Sequence, residues 1–209
     1  ELFQALETEP LKYKTAIFIT VGCGLRLGEM MGLEWKDIDF EKNSLIVRRV
    51  SQYVPGIGVI TKQPKTDSSR RKITLPEPVV VALKIFREAQ QKERQTIPDI
   101  WRDTDRLFVQ WNGLPMHPES ISKWFLKFQR RRHLSEINFH GLRHTSVSIL
   151  ANSQVPVKEI STRTGHQSVS TTLNIYGHML EGSDRQAADE IGKVLSECQD
   201  GNTKKRFPE

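Results

Sequence analysis

Two segments of the chain place an arginine where its guanidinium could bind an anion. Arg26 lies between two glycines, and Glu29, three positions later, can hold a guanidinium in a fixed orientation. His140 and Arg143 are also three positions apart, so that on a helix both side chains project to one side. Two guanidiniums that make paired hydrogen bonds to oxygen are suited to clamp a phosphate group. The residue types are therefore compatible with binding of an anionic group.

A second imidazole and a phenol complete the set of reactive side chains. His166 follows a glycine in a predicted turn, and Tyr176 lies near a predicted helix end with a glycine after it. A phenol has an ordinary pKa near 10, so at pH 7 it needs a proton acceptor or a cationic pocket to act as a nucleophile. Each of these residues alone is more typical of a surface ion pair, a turn or a hydrophobic core. They become significant because they occur together.

The order and spelling of these segments resemble the catalytic domain of tyrosine recombinases of the phage integrase type. The first motif of that family is matched by GLRLGE at 24–29, and the second by HGLRH at 140–144. TGH at 164–166 and NIYGH at 174–178 match the remaining two motifs. The resemblance extends from residue 11 to residue 194, and four separated motifs are far more specific than one glycine-rich loop.

The resemblance implies a role for each residue. Two arginines clamp the phosphate, two histidines assist, a lysine protonates the leaving oxygen, and a tyrosine attacks the phosphorus. The implied catalytic residues are Arg26, Lys65, His140, Arg143, His166 and Tyr176. The family's lysine lies on a β-hairpin turn, for which Lys65 is the best match, with Lys62 and Lys72 as competitors. Glu29 is expected to orient Arg26.

The implied reaction conserves the energy of the cleaved bond. Attack by Tyr176 forms a 3′-phosphotyrosyl ester, and the 5′ hydroxyl of a second strand can then displace the tyrosine, so neither ATP, a metal ion nor another cofactor is needed. His140 can take the phenol proton or orient the phosphate, and a lysine near two arginines should have a lowered pKa and be a better acid near neutrality. We expect a site-specific DNA recombinase that integrates or excises a phage or mobile element.

Three other functions remain open at the level of sequence. A metal hydrolase could use His140 and His144, but Gly141 stands where the zincin motif has a glutamate. A non-enzymatic DNA-binding module would use the arginines and leave Tyr176 without a role. A type IB topoisomerase performs the same cleavage but rejoins the original strand. If the chain is a recombinase, His144 and His178 are expected to serve in packing or hydrogen bonding and not in catalysis.

Further basic residues form two clusters that could contact DNA phosphates. The predicted DNA-binding residues are Arg70, Arg71, Lys72, Arg130, Arg131 and Arg132. The first three lie on the proposed lysine hairpin, which favours contact with the DNA backbone. The last three could equally form a solvated helix end, where cations suit the helix dipole.

The elements that position these residues are predicted to be mainly helices. Apolar residues at helical spacing predict helices at 11–25, 79–95 and from 117 onward, with two or three short helices through 174 and a last helix from a capping box at 183–186. Three β-branched-rich runs, at 44–50, 59–61 and 73–75, predict one antiparallel sheet, and 35–40 is expected to be a loop. The fold class is therefore mostly α with a small three-stranded antiparallel β-sheet (α+β), resembling the catalytic domain of a tyrosine recombinase.

Composition is that of a globular chain and not of a disordered polycation. The 209 residues include 37% hydrophobic and 27% charged residues, with a formal net charge of +6. The longest uncharged stretch, at 15–25, is shorter than the roughly 18 residues that a membrane span requires. The two cysteines cannot form a disulfide framework, which favours a reducing cytosol, and Cys23 is expected to be a buried thiol.

The resemblance also implies a domain organisation and partners. We expect residues 1–197 to form a DNA breaking and rejoining domain and 198–209 a disordered tail. Because the sequence begins at Glu1 inside an apolar pattern, upstream core-binding and arm-binding domains are expected to be absent from this chain. The implied partners are double-stranded DNA, three further copies in a tetramer on synaptic DNA, and an accessory DNA-bending protein. The isolated domain is expected to be monomeric and cytoplasmic, of bacterial, phage or mobile-element origin, with its last helix packed in cis or on a neighbour.

Overall fold

The fold is mostly helical, with two small antiparallel sheets. The computed structural model describes residues 1–63, 70–166, 168–176, 188, 189 and 191, with 174–176 described by their backbone. Within these residues the helices are α1 (Leu2–Ala5), α2 (Leu11–Cys23), α3 (Leu27–Met31), α4 (Glu77–Thr96), α5 (Glu119–Arg131), α6 (Phe139–Asn152), α7 (Val157–Thr164) and α8 (Val169–Tyr176). The strands are β1 (Ile38–Asp39), β2 (Ser44–Val47), β3 (Val50–Val54), β4 (Gly58–Lys62) and β5 (Arg71–Thr74). Short 3₁₀ turns cover Leu6–Thr8 and Trp35–Asp37.

Helix α2 is the centre of the hydrophobic core. It packs against α4, α5 and α6, so that even its hydroxyl-bearing residues Thr15 and Thr20 are fully buried. Thr20 satisfies its hydroxyl by donating to the carbonyl of Ala16 at 2.7 Å. The helix ends at Cys23 because Gly24 adopts a left-handed conformation with φ of 62°, which a residue with a side chain rarely adopts. The chain then turns directly into α3.

The strands form two sheets where the sequence predicts one. Strand β2 pairs with both β1 and β5 in an antiparallel sheet of order β1-β2-β5, whereas β3 and β4 form a separate hairpin. The prediction of a single strand over 44–50 was wrong, as was the inclusion of 59–61 in the same sheet. The third strand is β1, inside the segment expected to be a loop.

The break between β2 and β3 has a physical cause in an ion-pair network. Arg48 and Arg49 separate the two strands, and both guanidiniums bind the buried carboxylate of Asp37, at 3.3 and 2.5 Å. Arg49 also binds Glu34 at 2.9 Å. Neighbouring side chains of a regular strand point to opposite faces, so two neighbouring arginines that bind one carboxylate do not fit a continuous strand.

The helices predicted up to residue 174 are confirmed. Helix α4 covers 77–96 and α5 begins directly after Pro118, while α6, α7 and α8 lie where the sequence predicts two or three short helices through residue 174. The predicted last helix lies outside the described residues except at 188, 189 and 191. In the described part of the chain, every helix is too short or too polar to cross a bilayer.

Candidate active site

Arg26 and Glu29 form the ion pair that their spacing predicts. Arg26 is the N-cap residue of α3, and its extended backbone lets its own N–H donate to Glu29 Oε2 at 2.9 Å. Its Nη1 donates to Glu29 Oε1 at 2.8 Å. The carboxylate of Glu29 is 2% exposed, whereas the Arg26 side chain is 39% exposed. The buried carboxylate of Glu29 thus fixes the guanidinium of Arg26, while the Arg26 side chain stays partly open to solvent.

The turn after α7 brings the third motif against the first. Gly165 ends α7 with φ of 68°, in the left-handed region that favours glycine, and its carbonyl accepts from Arg26 Nη2 at 2.9 Å. A β-carbon at this position would lie 2.8 Å from Nη1 of Arg71 and 3.0 Å from its Cζ. Both the conformation and the close contact therefore require glycine beside His166.

Arg143 is a buried cation beside Arg26. It lies on α6 with 1% of its surface exposed, and its Nη1 donates to the carbonyl of Gly24 at 2.5 Å. Its Nη2 has no hydrogen-bond partner among the described residues. Burial, followed by the charge of Arg26, lowers the pKa of Arg143 to about 9, so the guanidinium is still charged at neutral pH. Arg143 therefore carries a buried N–H donor that no described residue satisfies.

The two histidines of α6 occupy one face of that helix. His140 lies near the N-terminus, which Asn138 caps by accepting from the N–H of Gly141 at 2.8 Å. The rings of His140 and His144 meet edge to face, with centroids 4.8 Å apart. Desolvation lowers the pKa of His140 below its usual value, and the nearby charges of His144, Arg143 and Arg26 lower it further. His140 is therefore neutral at pH 7.

His166 connects the arginines to the helix that ends at Tyr176. Its Nδ1 lies 2.7 Å from the hydroxyl of Thr172, a fully buried residue on α8. Burial lowers the pKa of His166 to about 4, and the charges of Arg143, Arg26 and Arg71 contribute in the same direction. Thr172 is one helical turn before Tyr176, so the neutral imidazole is tied to the helix that carries the predicted nucleophile. Among the described residues, no three His, Cys, Asp or Glu side chains are grouped to hold a metal ion.

Two of the predicted site groups lie outside the described residues. Lys65 belongs to the segment 64–69 between β4 and β5, and the phenol of Tyr176 lies beyond the described backbone of its residue. The competing lysines are described: Lys62 is the last residue of β4, and Lys72 is exposed on β5. They belong to different sheets, one on each side of the segment that contains Lys65.

Arg71 lies apart from the exposed cluster to which the sequence assigned it. Arg70 and Lys72 are exposed, but Arg71 is only 7% exposed and pairs with Glu29 at 3.0 Å. Its guanidinium is directed into the protein and not outward like its neighbours, and contact between Arg71 and DNA stays a prediction. The alternation of β5, in which Arg71 and Ile73 are buried while Lys72 is exposed, is the signal that could have separated it from its neighbours.

The second basic cluster is held in ion pairs at the end of α5. Arg131 and Arg132 both bind Glu9, at 2.6 and 2.9 Å, and Arg130 binds Glu136 at 2.9 Å. The three guanidiniums thus share two carboxylates. The stretch before α2 is thereby fastened to α5.

Cys23 is the buried thiol that its apolar surroundings predict. It is fully buried at the end of α2, and burial raises its pKa to about 12. At neutral pH it is a packed, protonated side chain next to the glycine that accepts from Arg143.

Comparisons with known proteins identify the family to which the chain is similar. The chain matches the model of the phage integrase family over residues 1–182. It is 30% identical over 195 residues to the tyrosine recombinase XerC-like protein of Caldanaerobacter subterraneus, covering 88% of this chain and 50% of that protein. It is 29% identical over 187 residues to the ICEBs1 integrase of Bacillus subtilis, covering 90% of this chain and 50% of that protein.

Solved structures share the same fold. The Tn1549 transposon integrase in complex with transposon right-end DNA superimposes with a TM-score of 0.77 at 27% identity, over 91% of this chain and 62% of that one. The XerA recombinase, at 21% identity, has the same fold with a TM-score of 0.68, over 90% of this chain and 61% of that one. The chain spans about half the length of the curated relatives it matches.

Proposed function

The chain belongs to the phage integrase family, and on that basis we propose that it cuts and rejoins DNA strands as the catalytic domain of a tyrosine recombinase. The observation that supports this most is the convergence of the first three motifs. Arg143 donates to the carbonyl of Gly24, which is 119 residues away, and Arg26 donates to the carbonyl of Gly165, which is 139 residues away. The fold therefore brings the cations of Arg26 and Arg143 close to the neutral imidazole of His166, although the motifs are far apart in sequence.

The proposed substrate is a phosphodiester of double-stranded DNA. Arg26 and Arg143 bind its non-bridging oxygens, on which charge accumulates as the nucleophile attacks. The partly exposed side chain of Arg26 is the proposed outer donor, and Nη2 of Arg143, which is buried and has no partner among the described residues, is the proposed inner donor. Because the guanidiniums are already oriented by Glu29 and by backbone carbonyls, little reorganisation accompanies the reaction.

The proposed chemistry exchanges one phosphoester for another. The Oη of Tyr176 forms a bond to phosphorus while the bond to the 5′ oxygen breaks, which leaves a 3′-phosphotyrosyl ester. The phenol proton passes to His140, whose lowered pKa leaves it neutral and able to accept at pH 7. The 5′ oxygen receives a proton from Lys65. A 5′ hydroxyl from another strand then reverses these steps and releases Tyr176, so no ATP, metal ion or other cofactor is consumed.

The biological role that we propose is integration or excision of a phage or mobile element. Strand exchange joins two DNA duplexes, so we propose that four copies act together on synaptic DNA, aided by a DNA-bending protein. A protein that contributes only the described catalytic fold would bind one site weakly. We infer that a further domain, which recognises the core site, works with residues 1–197.

Covalent capture on duplexes of randomised sequence tests the proposal for any target site. The full chain is incubated with such duplexes carrying a nick, so that cleavage beside the nick releases a short 5′-hydroxyl fragment and traps the protein on DNA. We expect a denaturation-resistant protein–DNA band that disappears with Tyr176→Phe, persists with Tyr53→Phe and is unaffected by EDTA. Capture that survives Tyr176→Phe, or that EDTA abolishes, would overturn the mechanism.

A second experiment distinguishes an enzyme from a simple DNA-binding module. Arg143→Ala removes the buried donor that acts on the transition state, so we expect the cleavage rate to fall by about 100-fold or more while the Kd for DNA rises only a few-fold. Single-turnover capture and fluorescence anisotropy on the captured sequences measure the two quantities. Equal losses in rate and affinity would favour the binding-module function.

A further inference from the structure

Arg71 donates three hydrogen bonds to other described residues next to Arg26 and His166. It extends from β5 into the interior, where Nη1 and Nη2 donate to the two carboxylate oxygens of Glu29 at 3.1 and 3.0 Å. Its Nε donates to the carbonyl of Arg163, on α7, at 2.8 Å. The guanidinium therefore connects a strand, helix α3 and helix α7 through one rigid plane.

The carboxylate of Glu29 is shared between Arg71 and Arg26. Oε1 accepts from Nη1 of both arginines, while Oε2 accepts from Arg71 Nη2 and from the backbone N–H of Arg26. A carboxylate has about four acceptor positions, and these four contacts use them all. Arg71 consequently fixes the orientation of the Glu29 carboxylate, and this carboxylate fixes the orientation of the Arg26 guanidinium.

Arg71 also supports the turn that carries His166. Gly165 lies so close to this guanidinium that an added β-carbon would be 2.8 Å from Nη1. The carbonyl of the same glycine accepts from Arg26 Nη2. Gly165 thus packs against the guanidinium of Arg71. Arg71 therefore contacts both groups that bind Arg26, namely the carboxylate of Glu29, which accepts from Nη1, and Gly165, whose carbonyl accepts from Nη2.

We propose that Arg71 is a positioning residue of the strand-cleaving site, acting through Glu29 and Gly165 to fix Arg26 and His166 relative to each other. The effect on cleavage rests on the proposed function. The fixed geometry itself does not. Lysine cannot replace arginine in this role, because a single ammonium cannot bind both carboxylate oxygens and the Arg163 carbonyl in one plane.

The ionisation of Glu29 is consistent with this role. Burial raises the pKa of the Glu29 carboxyl, but the hydrogen bonds and charge of Arg71, together with the N–H and charge of Arg26, outweigh burial and hold the pKa below its ordinary value. The carboxylate is therefore charged throughout the neutral range and remains bound to both arginines.

A kinetic experiment tests the consequence for cleavage. In the full chain, Arg71→Lys should lower the single-turnover rate of covalent capture by about 10-fold or more, with the Kd for the same DNA within about 2-fold of wild type. Arg94→Gln, which removes an exposed ion pair with Asp103, is the control and should leave both unchanged. If Arg71 acts through Glu29, the rate effects of Arg71→Lys and Glu29→Gln should not add. Additive effects, or a wild-type rate for Arg71→Lys, would overturn the proposal.

A spectroscopic experiment tests the positioning independently of any cleavage. In wild type, Nη1 and Nη2 of Arg26 bind different acceptors, so at low temperature their ¹⁵N-resolved NMR signals should be distinct, with Arg26→Lys providing the assignment. We expect Arg71→Lys to average these signals and Arg94→Gln to preserve them. Should Arg71→Lys fail to fold, Glu29→Gln must give the same averaging. Signals that remain distinct in either folded variant would overturn the positioning role, whereas averaging in a chain whose wild type captures no DNA would overturn only the proposed function.

Discussion

Three guanidiniums and one carboxylate define the electrostatics of the site at the scale of single residues. Arg26, Arg71 and Arg143 lie around Glu29, which leaves an excess of two positive charges in a partly buried space. An uncompensated buried cation is unfavourable, and Arg143 is almost completely buried with one amino group unpaired in the described part of the chain. An anion that enters the site removes this penalty. The arrangement therefore favours binding of an anion.

The identity of the general acid is a prediction that belongs to one residue. We expect Lys65→Ala to slow cleavage of ordinary DNA by about 100-fold, because the 5′ oxygen then leaves without a proton. A substrate with a 5′-thiol leaving group needs no proton, so it should restore the rate of Lys65→Ala to within a few-fold of wild type. Single-turnover capture on both substrates measures the ratio. Rescue of Lys62→Ala or Lys72→Ala, and not of Lys65→Ala, would identify a different lysine as the acid.

The lowered pKa of His166 predicts a pH dependence of stability. Its folded pKa of about 4 lies below the ordinary value of 6.5, so between these values the unfolded chain binds the proton more readily. The contribution is complete above about pH 6.5 and is lost as the pH falls toward 4. We expect the wild type to lose about 1 kcal/mol more than His166→Gln between pH 7.5 and pH 5, allowing for solvent screening. Urea unfolding at the two pH values measures this, and equal losses would show that His166 is not held in its neutral form.

At the scale of elements, the end of α2 determines where Arg143 binds. Gly24 combines a φ of 62° with a carbonyl that accepts from Arg143, and an added β-carbon would lie 2.8 Å from Cγ2 of Thr164. We expect Gly24→Ala to lower the free energy of unfolding by about 2 kcal/mol or more and to slow cleavage. Gly56→Ala is a matched control, because its φ is 78° with nothing within 4 Å of an added β-carbon, and it should cost only about 1 kcal/mol. Denaturant unfolding compares the two, and equal costs would mean that the contact with Thr164 is unimportant.

The elements also explain which features could be predicted from the sequence. Helices such as α4 and α5 were predictable because their signals are local, namely an apolar stripe and a proline beside the first turn. The division of the strands was not, because it depends on Arg48 and Arg49 finding carboxylates in another segment. The motifs indicated Arg26 and Arg143, but not Arg71. Its contact with Glu29 exists only after β5 pairs with β2 and presents that side chain inward.

At the scale of the whole molecule, the two basic clusters differ in how their charge is compensated. Arg70 and Lys72 are exposed on either side of the buried Arg71, near the site, whereas Arg130 is bound to Glu136 at the end of α5. A cation that already has a carboxylate partner gains less from a phosphate and releases fewer counterions. The net charge of +6 is thus less informative about DNA binding than the distribution of cations that have no ion-pair partner among the described residues.

The salt dependence of DNA binding tests this distinction. Each phosphate contact contributes about 0.9 to the slope of log K against log salt, so Arg70→Gln and Lys72→Gln should each reduce the slope by about that amount. Arg130→Gln should reduce it by less than about half as much, because Glu136 competes for the same guanidinium. Anisotropy titrations with a mixed-sequence duplex between about 50 and 200 mM salt give the slopes, with Arg94→Gln as the control for the loss of one surface charge. If Arg130→Gln reduced the slope by the full 0.9 or so, the end of α5 would contact DNA, contrary to this prediction. If neither Arg70→Gln nor Lys72→Gln reduced the slope, β5 would not contact DNA.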